Sequence, residues 1–169
     1  LDDVLMIGKT EAFSALNLFE FDLSNSIASI VEDIKVVDNG KHSFEIIMPE
    51  KLCVISDKKL LDHALGNLVS NAVKYSKRGK LVRIIVTEID QNDLCIEVID
   101  QGIGIPKEDL DQVFESFFRS SNTGTIEGTG LGMSIVKKSI EALGGQVSIE
   151  STVEVGTTVK LFLSKRISN

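Results

Sequence analysis

The chain has 169 residues, 43% of them hydrophobic and 25% charged, enough for one domain with a sizeable core. A net charge of −7 argues against a surface built for nucleic acid or an anionic membrane. It leaves phosphate binding open, because backbone N–H groups can hold an anion without a basic side chain.

No apolar run approaches the ~20 residues of a membrane helix, so this stretch is not expected to be membrane-inserted. Cys53 and Cys95 each sit in an apolar, strand-like run without metal-ligand spacing. Both are expected to be buried free thiols. Apolar residues at Leu1, Leu5, Ala12 and Leu16, with no initiating Met, predict the end of a helix and a linker in a piece of a longer protein. Phe21-Asp22-Leu23-Ser24 predicts a short extended entry. Ser24 or Asn25 then caps a helix over 26–36, whose stripe is Ile27, Ile30, Val31 and Ile34. Asp38-Asn39-Gly40 ends it. His42 to Met48 and Leu52 to Ser56 read as strands with Pro49-Glu50-Lys51 turning between them. Asp57 opens a long helix to about Ser76, with Leu61, Ala64, Leu65, Leu68 and Ala72 as its core stripe and Gly79 beyond its end.

Leu81 to Ile89 and Leu94 to Asp100 predict a hairpin turning at Gln91-Asn92. Pro106 starts a short helical piece over 107–114, and the polar segment 120–127 reads as a mobile surface loop. Gly128 to Gly132 leads into a helix that ends at Leu143-Gly144-Gly145. The last strands are Gln146 to Ser151 and Thr157 to Leu163. This order predicts an α/β fold: a two-layer sandwich of a mixed, largely antiparallel five- or six-stranded sheet with about three helices on one face.

Three constellations could carry chemistry. With a side-chain period of two, Leu94, Ile96, Val98 and Asp100 share one strand face. A carboxylate on an otherwise apolar face needs a hydrogen-bonding partner. The glycines after it, Gly102 and Gly104, allow close approach of another molecule, and a purine amino group is the expected partner. Asn67, Asn71 and Lys74 lie at i, i+4 and i+7 on one helical face. They offer amide oxygens to a hard cation and a charge to phosphate, although the spacing alone also fits a solvated helix face. Gly128, Gly130 and Gly132, opening a helix, suit a phosphate cradle. The run matches neither the Walker pattern nor the Rossmann fingerprint.

The order of these segments resembles the catalytic, ATP-binding domain of sensor histidine kinases, in the superfamily shared with gyrase, Hsp90 and MutL, which has the Bergerat ATP-binding fold. The resemblance covers roughly residues 20–165. Asn67-Leu68-Val69-Ser70-Asn71-Ala72-Val73-Lys74-Tyr75-Ser76 resembles the asparagine box, and Asp100 to Ile105 the first glycine box. Phe114 to Arg119 resembles the phenylalanine box, and Gly128 to Met133 the second glycine box.

The resemblance implies that Asp100 accepts from the adenine amino group, beside Gly102, Gly104 and Ile105. It implies that Thr157 holds adenine through its hydroxyl and that Tyr75 packs near the base or ribose. Asn71, with Asn67, would hold Mg2+ against the phosphates of ATP. Lys74 would reach a phosphate, and Arg119 would steady the γ-phosphate, these two being the candidate catalytic groups. Gly128, Thr129, Gly130, Leu131 and Gly132 complete the nucleotide site, with Gly130 to Gly132 offering backbone N–H groups. Residues 106–127 would form a lid over ATP.

Gyrase-like relatives carry a glutamate where this chain has Asn67, which cannot activate water as a base. The resemblance therefore favours transfer to a protein histidine over hydrolysis. Residues 1–19 would end the dimerisation and phosphoacceptor hairpin and its linker, and residues 20–169 would be the catalytic domain. The implied partners are that acceptor domain and, downstream, a response-regulator receiver domain. The expected setting is cytoplasmic, with a monomeric fragment and a homodimeric parent that could be anchored in a membrane. A nucleotide-sensing module without transfer, or a serine kinase or ATPase of the same superfamily, are the alternatives. His42 and His63 are not expected to be phosphoacceptors, and His63 is expected at the surface near the phosphates.

Overall fold

The computed structural model describes residues 16–167. The helix end expected over residues 1–15 lies outside the described residues.

The first strand, β1, spans Leu18–Asp22 and takes Leu18 and Phe19, expected on the linker side, into the folded unit. Helix α1 follows at once, over Leu23–Asp38. Its cap is neither Ser24 nor Asn25. Asp22 accepts from Ser24 N at 3.0 Å and also from Leu52 N at 3.2 Å. Ser24 is buried and donates its hydroxyl to Pro49 O at 2.9 Å, so it has no part in capping. Asn39, at φ +54, closes the helix in the left-handed conformation that Asn tolerates.

The next two strands, β2 (Ser43–Ile47) and β3 (Cys53–Asp57), belong to different sheets. β3 pairs antiparallel with β1, and the C-terminal segment joins it from the other side, with Ile55 N donating to Lys165 O at 2.7 Å and Ile167 N to Ile55 O at 3.0 Å. β2 lies parallel to β4 at the edge of the main sheet. Val54 and Ser56 point inward from β3, so Cys53 faces out and is exposed, against expectation. Cys95 is buried as expected, and burial raises its thiol pKa.

Helix α2, Lys58–Tyr75, is capped by Asp57, which accepts from Lys59 N and Leu60 N. Its predicted stripe is buried throughout. Strands β4 (Leu81–Glu88) and β5 (Asp93–Ile99) form the predicted hairpin, with Ile84 opposite Val98 and Val86 opposite Ile96. Helix α3 (Gly132–Ala142) and strands β6 (Gln146–Thr152) and β7 (Gly156–Ser164) complete the chain. The main sheet runs β2-β4-β5-β7-β6 and is antiparallel except for the β2–β4 pair.

The architecture is thus the expected two-layer α/β sandwich, with a five-stranded mixed sheet and a separate two-stranded one. The core joins Val82, Ile84, Leu94, Ile96, Val98 and Leu161 of the sheet to Leu61, Leu65, Leu68, Val136 and Ile140 of the helices. No described helix is long and apolar enough to cross a membrane.

The helix expected over 107–114 is reduced to one 3-10 turn, Lys107–Asp109. Asp109, which could have continued it, turns its carboxylate to Ser120 and Ser121.

Candidate nucleotide site

A cavity of ≈ 180 Å³ opens between α2, the ends of β5 and β7, and the segment 103–132. Val98, Val159, Ile149, Met133, Leu68 and Ala72 give it an apolar floor. Asp100 lines the cavity beside that floor, one residue past β5, and is half-buried. Its Oδ1 accepts from Gly102 N at 2.8 Å and Thr157 N at 3.2 Å. Burial pushes the carboxyl up to about 6, and these two N–H groups pull it only part of the way back. Its other oxygen takes no hydrogen bond among the described residues. A cavity with an apolar floor and one open acceptor beside it suits a heterocycle with an exocyclic amine.

Thr157 lines the slot beside Asp100. Its hydroxyl lies 2.8 Å from Ser151 Oγ, which donates to Gly156 O at 3.0 Å and accepts from Ile105 N at 2.9 Å. Ser151 therefore joins β6, β7 and the first glycine box, a role the motifs alone do not disclose. The register that places Ser151 opposite Thr157 is the signal that would have found it.

Elsewhere in the cavity lie Asn67, Asn71 and Lys74 from α2 and Thr129, Gly130 and Gly132 at the start of α3, with Tyr75 also in the lining. Asn67 Nδ2 donates back to His63 O at 2.9 Å, which turns its Oδ1 toward Gly132. A Cβ on Gly132 would stand 3.2 Å from Asn67 Oδ1 and 3.2 Å from Asn71 Nδ2, so the bare glycine leaves both amides uncovered. Lys74 Nζ lies 4.8 Å from the Tyr75 ring centroid and against Gly128. Gly102 sits behind Asp100, with its Cα against Tyr75 O. Leu131 faces the core at 2% exposure and stands outside the cavity lining. Gly104, Ile105 and Arg119 line the cavity, and Arg119 donates to Ile126 O. His63 is half-buried and does not line it.

The donor set fits a hard cation that brings its own oxygens. Two neutral amides face the anion end, and no cluster of three or more His, Cys, Asp or Glu side chains exists among the described residues. Backbone N–H groups at the start of α3 and the Lys74 ammonium supply positive potential there.

Comparison with known proteins agrees with this geometry. Residues 56–167 match the family profile described as histidine kinase-, DNA gyrase B-, and HSP90-like ATPase. The chain belongs to this ATPase family. Within the family it resembles sensor histidine kinases. The sensor-like histidine kinase SenX3 of Mycobacterium tuberculosis is 37% identical over 150 residues, 87% of this chain and 36% of SenX3. The sensor histidine kinase WalK of Bacillus subtilis is 38% identical over 168 residues, 96% of this chain and 28% of WalK. The chain thus spans about a third of the length of these curated relatives. The solved mycobacterial sensor histidine kinase MprB superposes with a TM-score of 0.81 at 29% identity, over 89% of this chain and all of that one. A nucleotide-free catalytic domain of the histidine kinase ThkA gives 0.72 at 26% identity, over 89% of this chain and 97% of that one. In this chain the Asn67–Ser76 segment lies on α2, the Asp100–Ile105 segment after β5, the Gly128–Met133 segment at the start of α3 and the Phe114–Arg119 segment between them, and all four contribute to the cavity lining.

Proposed function

We propose that this domain binds Mg·ATP and donates the γ-phosphoryl group to a histidine on a separate dimerisation and acceptor domain of its parent protein. The observation that carries the reading is Asp100, a half-buried carboxylate with one oxygen open on a largely apolar cavity that Asn67, Asn71 and Lys74 of α2 and the start of α3 also line. Asp100 and Thr157 would read the purine, with Gly102, Gly104 and Ile105 shaping that wall and Tyr75 flanking base or ribose. Asn67 and Asn71 would hold Mg2+, which when bound neutralises triphosphate charge. Thr129 and the N–H groups of Gly130 and Gly132 would hold phosphate oxygens, with Gly128 leaving room for the Lys74 ammonium. Lys74 and Arg119 would stabilise the γ-phosphoryl as the acceptor nitrogen bonds to phosphorus, the bond to the bridging oxygen breaks and ADP leaves.

Asn67 supports transfer over hydrolysis, since neither it nor Asn71 can take a proton from water. The parent would be a homodimer passing the phosphoryl group on to a response-regulator receiver domain, with this domain in the cytoplasm. The residues before β1 would lead from the acceptor hairpin. The test mixes the chain with a histidine-kinase acceptor domain and γ-labelled ATP. Acid-labile label on the acceptor histidine is expected. Tight Mg·ATP binding with no label under any pairing would leave a nucleotide-sensing module instead.

A further inference from the structure

The segment between the first and second glycine boxes is closed on itself by one carboxylate. Asp109 ends the 3-10 turn and is only 9% exposed. Its Oδ2 accepts from Ser120 Oγ at 2.7 Å, Ser121 N at 2.8 Å and Ser121 Oγ at 2.9 Å. The Ser120 and Ser121 donors hold the carboxyl below its ordinary range, so at neutral pH all three bonds are charge-assisted.

The closure encloses residues 110–119, including Phe117 at φ +68, a conformation that a bulky side chain adopts only when its surroundings impose it. Phe117 N donates to Gly130 O at 3.0 Å. Beyond the closure, Asn122 Nδ2 donates to Gly104 O at 2.9 Å. Arg119, Ser120, Asn122 and Thr123 all line the cavity, whereas Asp109 does not. The half of the loop nearest the cavity, expected to be mobile, therefore has polar ties at both ends.

We propose that Asp109 is a positioning residue that clamps the lid through Ser120 and Ser121, so that Arg119 is held in the cavity wall toward the triphosphate. The inference rests on the nucleotide reading of the cavity. Asp109 acts chiefly on the phosphate end, through Arg119, and reaches the base end only through the Asn122 tie to Gly104, because the groups facing the base, Asp100 and Thr157, are held by β5, β6 and β7.

Calorimetric titration of the chain with Mg·ATP, Mg·ADP and adenosine tests it, together with hydrogen exchange at the Ser121 amide. In Asp109→Ala the Kd for Mg·ATP should rise about tenfold, that for Mg·ADP less, and that for adenosine by less than about twofold. Exchange at Ser121 should accelerate about tenfold or more. Asp109→Asn keeps an acceptor oxygen for the same donors and should fall between wild type and Ala. If the Ala variant does not fold, the double variant Ser120→Ala with Ser121→Ala removes the side-chain bonds from the other side and should reproduce the same ordering of ligands. Equal losses for all three ligands, or an unchanged Mg·ATP affinity with slow Ser121 exchange, would overturn the clamp. A wild-type chain that binds none of the three would instead remove the nucleotide reading, and Ser121 exchange would still decide whether Asp109 holds the lid.

Discussion

Replacing Asp100 by Asn separates what the carboxylate costs the fold from what it does for a ligand. Burial raises the carboxyl from 3.8 to about 6. The preference for the protonated carboxyl that this implies is worth ~3 kcal/mol before solvent screening. The group opens onto the cavity, so ~1–3 kcal/mol is the working range. The folded chain holds this proton more tightly than the unfolded chain. Stability is therefore lost as pH rises from about 4 to about 6, and is level above that. The amide does not ionise, and its oxygen can keep Gly102 N and Thr157 N as donors. Asp100→Asn should then be more stable than wild type at pH 7.5, by roughly 2–10 °C in Tm for a domain of this size. The gain should shrink toward zero near pH 4.

The same variant should bind Mg·ATP about 5- to 150-fold more weakly, because an amide N–H replaces the open acceptor and meets the donor of the purine. Thermal melts from pH 4 to 8, with and without Mg·ATP, read both effects. Undiminished ATP affinity would refute the site assignment, and a Tm difference that ignores pH would refute the burial argument.

Four further outcomes follow from the same geometry. ATP affinity of the wild type should rise with pH up to about 6 and level off, since the purine amine favours the ionised Asp100; titrations at pH 5, 6 and 7.5 check it. Gly132→Ala would place a methyl 3.2 Å from both Asn67 Oδ1 and Asn71 Nδ2, and should weaken ATP binding with Mg2+ more than without it, measured by calorimetry in each condition. Gly104→Ala should cost roughly 2 kcal/mol or more in urea unfolding, because Gly104 has φ +66 and its Cα faces the Thr152 carbonyl. His42→Ala removes the Nδ1 partner 2.7 Å from the buried Asp38 Oδ1, and should cost roughly 2 kcal/mol by the same assay.

What was legible in the sequence is what local chemistry decides. Asp57 caps α2 and the stripe from Leu61 to Ala72 buries it, and both signals lie within one stretch of chain. Asp100 follows three apolar residues at period two, so its inward face needed only strand parity. The failures are non-local. Ser24 looks like a cap until Pro49, 25 residues away, takes its hydroxyl. β2 and β3 follow one another through the turn at Pro49, and nothing in that stretch tells that β3 leaves the main sheet for β1 and the C-terminal segment. Cys53 lies in the apolar run Leu52 to Ile55, which has no alternation to assign its face. Only pairing with β1 does so.

The glycines of the two boxes show the same division. A motif reading gives them one purpose, room for a nucleotide. Around Gly102, Gly104 and Gly130 the nearest atoms are instead backbone of this chain: Tyr75 O, Thr152 O and the Phe117–Phe118 peptide. Those three glycines let α2, the β6–β7 turn and the lid meet at separations no side chain would permit. Gly128 and Gly132 alone face the polar groups of α2, namely Lys74, Asn67 and Asn71. Substitutions should divide accordingly. A methyl at 102, 104 or 130 should lower stability first and binding in consequence, whereas a methyl at 132 should weaken binding in a chain that still folds. The glycine spacing in the sequence marks where segments converge, and only the neighbours of each Cα tell a joint of the fold from a cradle for phosphate.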